Sequence, residues 1–579
     1  MKRFLNSITI IILCLLFIGL GKTIKSISVN FFDENKLIYE ITDSSITKES
    51  SSGEVIKELE TSGDYVSVAI ELVDNFKENE DEPSDISSVE DAQEFVRKQR
   101  ECVKAHYTRE NELIAKNLNL RFLEADLEIS EYSNFIFLNY KQGSFEEFHL
   151  NHFKNIAKDH RVSNVYIRSK DTTKTTQELY ALKSKIYVNP FIANNPEWDG
   201  SGINVGVLDS GIIDENHPSF ADTELLIRDE WWYWETVGVH PTSIALTIGG
   251  SSGIAPGAKI LSVEFFLTWS GPVEWLLNNG ANIINISICS GSTHGNYNSD
   301  AAYLDNIARN NCVLIVGSAG NRGGQYTDCL ITSPKTGYNV ITVGDTDSLG
   351  RISYSSSYKT NFLTSKPNLT APTELLELPG FNNYFSGTSY ASAMVSGVSA
   401  VIMQQNYVCL IRPHVLGALL AATATPNYYH DTFESSGYEE KVGAGWVNLE
   451  AAFTNYRAYC FYNGSNRIGQ VVNEQQFFLH AGMRTKVAFF NMANTGGATH
   501  NKATDYDIYL KDEYGLTVGY SHASYGNMEL IECIIPTSGY YYVRIVQFGN
   551  KAGTERDYCA FSVWQTDPDF SSVSPVTYD

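Results

Sequence analysis

Asp209, His240 and Ser389 offer a carboxylate, an imidazole and a hydroxyl in that chain order, separated by 31 and 149 residues. A serine hydroxyl is almost wholly protonated at neutral pH, so it attacks a carbonyl only when an adjacent base takes its proton. An imidazole can do this, and a carboxylate behind it fixes the tautomer and stabilises the imidazolium that forms. Singly, an Asp at a strand end or a Ser at a helix start is more often a turn or cap residue. As a set they follow one of the three chain orders in which such triads occur.

The surrounding sequence predicts how these groups are held. Residues 203–208 are an apolar strand that ends at Asp209, and Ser389 follows Gly387 and opens an apolar helical stretch that runs to Met403. Short β-rich runs at 203–208, 258–266, 283–288, 312–316 and 340–343 alternate with helical stretches such as 273–279 and 301–310. That alternation predicts a parallel sheet covered by helices on both faces, with function gathered at the carboxyl ends of its strands.

Five ordered motifs then resemble the subtilisin-like serine peptidases, over roughly residues 190–455. They are Val207-Leu208-Asp209-Ser210-Gly211-Ile212 with His217-Pro218, Gly253-Ile254-Ala255-Pro256-Gly257-Ala258, Gly317-Ser318-Ala319-Gly320-Asn321, Ile341-Thr342-Val343-Gly344 and Gly387-Thr388-Ser389-Tyr390-Ala391-Ser392. The resemblance implies catalysis by Asp209, His240 and Ser389 through an acyl-enzyme, with the Asn321 amide and the Ser389 N–H donating to the oxyanion. It also implies a peptide groove lined by Ser287, Ile288, Cys289, Gly320 and Arg322, in which the substrate adds as a strand. Phe265, Phe266 and Trp269 are available either to line further subsites or to fill core. Arg322 and Lys335 lead us to expect acidic or polar residues before the scissile bond.

Several positions depart from the family pattern, among them Leu246, near a family Gly, and Cys289, in place of a small residue at the groove rim. Pro241 follows His240 where the family has Gly, Ala393 stands where the serine motif has Pro, and Ser219 replaces an Asp that ligates calcium in bacterial members. Pro is tolerated in a first helical turn, so a working His240 geometry is expected. That calcium site is expected to be absent; no metal or other cofactor is required, and calcium elsewhere is left open by the many carboxylates but not indicated.

The rest of the chain frames this reading. It has 43 Lys plus Arg against 67 Asp plus Glu, a net charge of -24, the wrong sign for a nucleic-acid partner. Nine cysteines in 579 residues, with no C-x-x-C spacing, fit neither a disulfide scaffold nor a structural zinc site. Lys2 and Arg3 before the apolar run 8–20 give residues 1–25 the pattern of a signal peptide or short anchor, hence a secreted or cell-surface protein in which disulfides can form. Residues 26–62 read as a polar linker, and 63–168 as a small α+β domain with strand, helix, strands, helix and strand. That order resembles the family's inhibitory propeptides, making the chain's own propeptide a partner alongside peptide or protein substrates. Residues 185–455 form the catalytic domain, and period-two strands over 456–579 predict a β-sandwich. The alternative is a catalytically weak or inactive protease fold acting as a surface binding or scaffolding module.

Overall fold

The structure is a computed structural model. It describes residues 65–72, 88–118, 125–141, 161–170, 194–228, 237–265, 268–288, 295–323, 329–347, 350–361, 365–373, 376–378, 384–425, 439–454, 456–494, 503–522, 526–549 and 556–566, with a few short pieces besides. The signal or anchor segment, nearly all of the linker and most of the second helix expected near residue 144 lie outside them.

The chain divides into two compact units. The first takes residues 1–80, 101–174 and 496–500, and the second takes 81–100, 175–495 and 501–579. In the first unit β1 (Tyr65–Leu72), β2 (Asp126–Ile129), β3 (Phe135–Lys141) and β4 (Val162–Lys170) form an antiparallel sheet in the order β2-β3-β1-β4. The helix α1 (Val89–Asn117) runs without Pro or Gly, as its sequence predicts, and its first turns belong to the second unit. There the Arg100 guanidinium donates to the carbonyls of Leu277, Ala281 and Asn311, and Gln93 Nε2 donates to Asn282 Oδ1 and the Gly202 carbonyl.

The second unit is built on a seven-stranded sheet, parallel throughout. Its strands are β5 (Asn204–Asp209), β6 (Leu225–Ile227), β7 (Lys259–Glu264), β8 (Ile283–Ile286), β9 (Leu314–Ser318), β10 (Val340–Thr346) and β11 (Leu369–Pro372), in the order β11-β10-β9-β8-β5-β7-β6. The central strands are buried on both faces, which is why they read as continuous apolar runs. Helices α2 (Val239–Gly249), α3 (Ser270–Asn278), α4 (Ser299–Asn310), α5 (Thr388–Gln405) and α6 (Pro413–Thr423) pack around them. The many small residues of α5 suit its central position, and a Cβ on Gly397 would come within 2.7 Å of the Ile254 side chain. The order reverses between β8 and β5, the kind of switch point at which ligands bind in open parallel sheets.

A β-sandwich follows. One sheet runs β12 (Tyr456–Asn463), β19 (Asp557–Thr566), β14 (Arg484–Asn491) and β17 (Met528–Ile534); the other runs β13 (Gln470–Leu479), β18 (Gly539–Gln547), β15 (Tyr506–Asp512) and β16 (Thr517–Ser521). Phe477, Val487, Phe489, Tyr541 and Phe561 fill the space between them. The first sheet docks on the parallel domain. Asn339 and Ala493 exchange two hydrogen bonds, Asn527 Nδ2 donates to the Tyr338 carbonyl, and Lys486 Nζ donates to the carbonyls of Ala424 and Ala444 at 2.7 Å each. No described helix is long and apolar enough to cross a membrane, and the seven cysteines recorded as free thiols are Cys102, Cys312, Cys329, Cys409, Cys460, Cys533 and Cys559.

Burial, opposed by nearby Glu532 and reinforced by Arg484, pushes the Lys486 ammonium down to about 8. Between about pH 8 and the ordinary lysine value of 10.5, the unfolded chain therefore holds a proton that the folded chain has lost, so this group's contribution makes stability rise with pH. Lys486→Met should flatten that rise relative to wild type. Urea midpoints at pH 7.5, 8.5, 9.5 and 10.5 test this, and parallel curves for the two proteins would contradict it.

Candidate active site

Asp209 ends β5 and is wholly buried, a position in which a carboxylate persists only when it is bonded. Its Oδ1 accepts from the Ser210 N–H at 2.7 Å and the Ser210 hydroxyl at 3.2 Å, and His240 Nδ1 lies 2.8 Å away. Because a carboxylate can only accept, Nδ1 carries the imidazole proton and Nε2 is left as an acceptor.

His240 is the second residue of α2, after the N-cap Gly238, and Pro241 is the third. No backbone donor is needed in that first turn, so the helix absorbs the proline. Thr242 Oγ1 donates to the Gly238 carbonyl and accepts from the Asp214 N–H. Ser243 Oγ donates to the His240 carbonyl at 2.8 Å and accepts from the Tyr390 hydroxyl at 2.9 Å. The Tyr390 ring meets the imidazole edge to face, with centroids 5.9 Å apart. Burial disfavours the charged imidazole, but the attraction and hydrogen bond of Asp209 together outweigh it and hold the His240 pKa above its ordinary 6.5.

Ser389 is the second residue of α5. Gly387 before it has φ 111°, a region that favours glycine, and a Cβ there would lie 3.3 Å from both polar atoms of the Asn321 amide. Asn321 follows β9, and its Oδ1 accepts from the Thr388 N–H at 3.2 Å and the Thr388 hydroxyl at 3.0 Å. The same hydroxyl accepts from the Gly320 N–H at 3.1 Å. With its oxygen held, the amide leaves Nδ2 as its available donor. The Ser389 N–H lies in the first helical turn, where backbone donors have no acceptor within the helix. The Ser389 hydroxyl donates to the Ser287 carbonyl at 3.2 Å, and no hydrogen bond joins it to His240 among the described residues.

A model described as the subtilase family matches residues 200–445. A thermostable alkaline protease of Halalkalibacterium halodurans is 32% identical over 232 residues, covering 37% of this chain and 61% of that protein, so the chain spans less than two thirds of this relative's length. The alkaline elastase of a Bacillus species is 30% identical over 285 residues, 45% of this chain and 67% of its own. The chain belongs to the subtilase family. Among solved structures, the prenylagaramide maturation protease is 27% identical over 45% of this subtilase and 97% of its own chain, with a TM-score of 0.38.

The groove residues expected from the sequence are placed unequally. The Ser287 side chain points inward, accepting from Asn285 Nδ2 and donating to the Ser389 carbonyl, so this residue faces the serine hydroxyl with its backbone carbonyl alone. Ile288 is half-buried, and its carbonyl accepts from Lys335 Nζ. Lys335 is itself wholly buried, so the ammonium stands behind this segment and not at the surface. Arg322 is half-buried, with its N–H on Ser357 Oγ. Cys289 and Phe266 lie outside the described residues. Trp269 is core, 2% exposed, with its indole N–H on Asp300 and its ring against Phe265. Ser219 is buried, and its carbonyl accepts from the Ser251 N–H. Among the described residues, no group of three or more His, Cys, Asp or Glu could hold a metal ion.

Sequence reasoning missed the positioning work of Thr388, Ser243 and Tyr390. Thr388 and Tyr390 flank Ser389 in its motif, so their places were visible, but their partners at 321 and 243 became visible only once the strands were assembled.

Asp209→Asn should lower the His240 pKa, because the substitution removes the attraction that outweighs burial. Titration of the imidazole by nuclear magnetic resonance reads this directly, and a midpoint equal to or above that of wild type would contradict the account.

Proposed function

We propose that this subtilase is a secreted serine endopeptidase that cleaves peptide bonds through an acyl-enzyme formed on Ser389 and that processes its own amino-terminal domain. The observation that carries the proposal is the half-buried His240 held by buried Asp209, together with a serine at a helix N-terminus next to an asparagine amide whose oxygen is already held.

In this mechanism a substrate strand enters beside residues 287–288 and its N–H groups compete for the Ser287 carbonyl. The Ser389 hydroxyl, released from that carbonyl, turns to His240 Nε2; such catalytic bonds commonly tighten only when substrate binds. Nε2 takes the proton as Oγ attacks, and Asp209 stabilises the imidazolium. The developing oxyanion accepts from Asn321 Nδ2 and the Ser389 N–H. The imidazolium then returns its proton to the departing amine, and water repeats the sequence to release the acid. The scheme uses side chains and backbone alone and draws on no cofactor.

The amino-terminal α+β unit is the propeptide in this reading. Support comes from its sheet and helix order. Secretion rests on the basic and apolar pattern of the first 25 residues.

Expression of the full chain and of Ser389→Ala, followed by intact mass measurement, is the test. Wild type should lose its amino-terminal unit, whereas the variant should stay whole and ignore a fluorophosphonate. Equal masses with an unlabelled wild type would sink the proposal. In the processed enzyme, Asn321→Ala should lower kcat by about 10² to 10³ with little change in KM, the loss that removing one such donor produces in subtilisin. The kcat/KM profile should rise with pH through a midpoint above 6.5, since the base works only when neutral.

A further inference from the structure

Large apolar side chains are concentrated on the sandwich surface: nine of the thirteen exposed ones among the described residues lie between 456 and 566. Strand register shows which share the outer face of the sheet β13-β18-β15-β16. Phe478 stands opposite Tyr540, Gln476 opposite Tyr542, Glu474 opposite Arg544, and Tyr509 opposite both Arg544 and Tyr520. Their neighbours along each strand, Phe477, Tyr541, Val543 and Ile508, point the other way into the core. Phe478, Tyr540 and Tyr520 are 44%, 50% and 42% exposed, too open for rings kept only for packing.

The rings make an oblique line. It starts where Phe478 and Tyr540 meet edge to face, passes Tyr542 two residues along β18, reaches Tyr509 on the next strand and ends at Tyr520 and His522. Sheet spacings put Tyr520 about 13 Å along the strands and about 10 Å across them from Tyr540, long enough for an oligomer and too long for one small ring.

The groups between the rings narrow the choice of occupant. Glu474 pairs with Arg544, Lys511 lies over the Tyr509 ring, and the Tyr509 hydroxyl bonds to Asp507. Asp505 adds a third carboxylate beside Asp507 and His522, so carboxylates outnumber cations and the face has no positive charge with which to attract a polyanion or an anionic membrane. The Gln476 amide, whose Nε2 donates to the Tyr542 hydroxyl, and the Glu474 carboxylate add acceptors beside the rings, whereas Asp507 is buried. A proline-rich polypeptide has few N–H groups to offer such acceptors. A pyranose chain supplies hydroxyl donors around its rim and flat C–H faces for the rings.

We propose that this face binds a neutral, extended, β-1,4-linked structural polysaccharide and anchors the protein on it. The site shares no residue with the peptidase reading and stands or falls independently of it.

Depletion from solution by amorphous cellulose and by chitin tests the proposal, using the full chain carrying Ser389→Ala so that proteolysis plays no part. At least one polymer should retain the protein, with retention persisting in 1 M NaCl. Tyr509→Ala with Tyr540→Ala should weaken retention roughly tenfold or more, since two stacking rings are lost. Tyr509→Phe with Tyr540→Phe, which keeps the rings, should restore most of it. Thermal midpoints close to the parent's would show that the Ala variant is folded. Absence of retention on both polymers, retention lost in salt, retention unchanged by the Ala pair, or binding to immobilised gelatin alone would each overturn the proposal.

Discussion

A buried negative charge organises the active region. Asp209 lies at the carboxyl end of a strand covered on both faces, where an uncompensated carboxylate would be too costly to keep. Its Oδ1 gathers the next residue's N–H and hydroxyl and the imidazole of a helix 31 residues on, so the pairing that stabilises the charge also fixes the imidazole. Through Ser243 and Tyr390 the start of α2 is tied to the first turn of α5, and through Thr388 that turn is tied to the loop after β9. These side chains link the end of β5, the first turns of α2 and α5, and the loop after β9.

The same rule governs attachment of the sandwich. Arg484–Asn491 is buried at every position, because one face looks into the sandwich core and the other is pressed against the parallel domain. Val487 and Phe489 supply the first face; Lys486, Ala488 and Phe490 supply the second, with the Phe490 ring close to Gly417 on α6, where a Cβ would lie 3.3 Å from it. Lys486 at 0% exposure is sustained by two backbone carbonyls and by Glu532, which also bonds Arg484. Buried charges held this way favour one docking arrangement over many, since any shift would strand an ammonium without acceptors.

How much of this could be read from the sequence depended on the range of the interactions. Parallel strands such as Ile283–Ile286 declare themselves because burial on both faces makes them continuously apolar, and the predicted runs differ from the observed ones mainly at their ends. The helix Val89–Asn117 was equally plain from its lack of breakers, but nothing in its composition marked Arg100 as a residue whose donors are used by loops nearly two hundred residues away. Asp209, His240, Ser389 and Asn321 stood out by motif. The orientation of Ser389 Oγ towards the Ser287 carbonyl did not, because a hydroxyl rotamer depends on which acceptor folding brings within reach. Lys335 was misjudged for the same reason: a lysine in sequence suggests a wet surface, whereas the fold places it under the Ile288 carbonyl.

The sandwich inverts the usual correspondence between residue type and surface. Its docked sheet hides lysine, arginine and glutamate, and its free sheet exposes phenylalanine and tyrosine. Alternation alone reads Arg484 and Lys486 as solvent-facing and offers no reason to suspect the tyrosines of β18, since period two is satisfied either way. The distinction lies in which sheet meets another domain, a tertiary fact. Charges can be buried against a domain that presents carbonyls, because those interactions are short and directional. Rings remain on the open sheet, where they are compatible with the fold only because each alternates with a core residue that secures the strand. Stability and surface chemistry are thus assigned to opposite faces of the same strands, so the outer face can change its side chains without disturbing the packing beneath it.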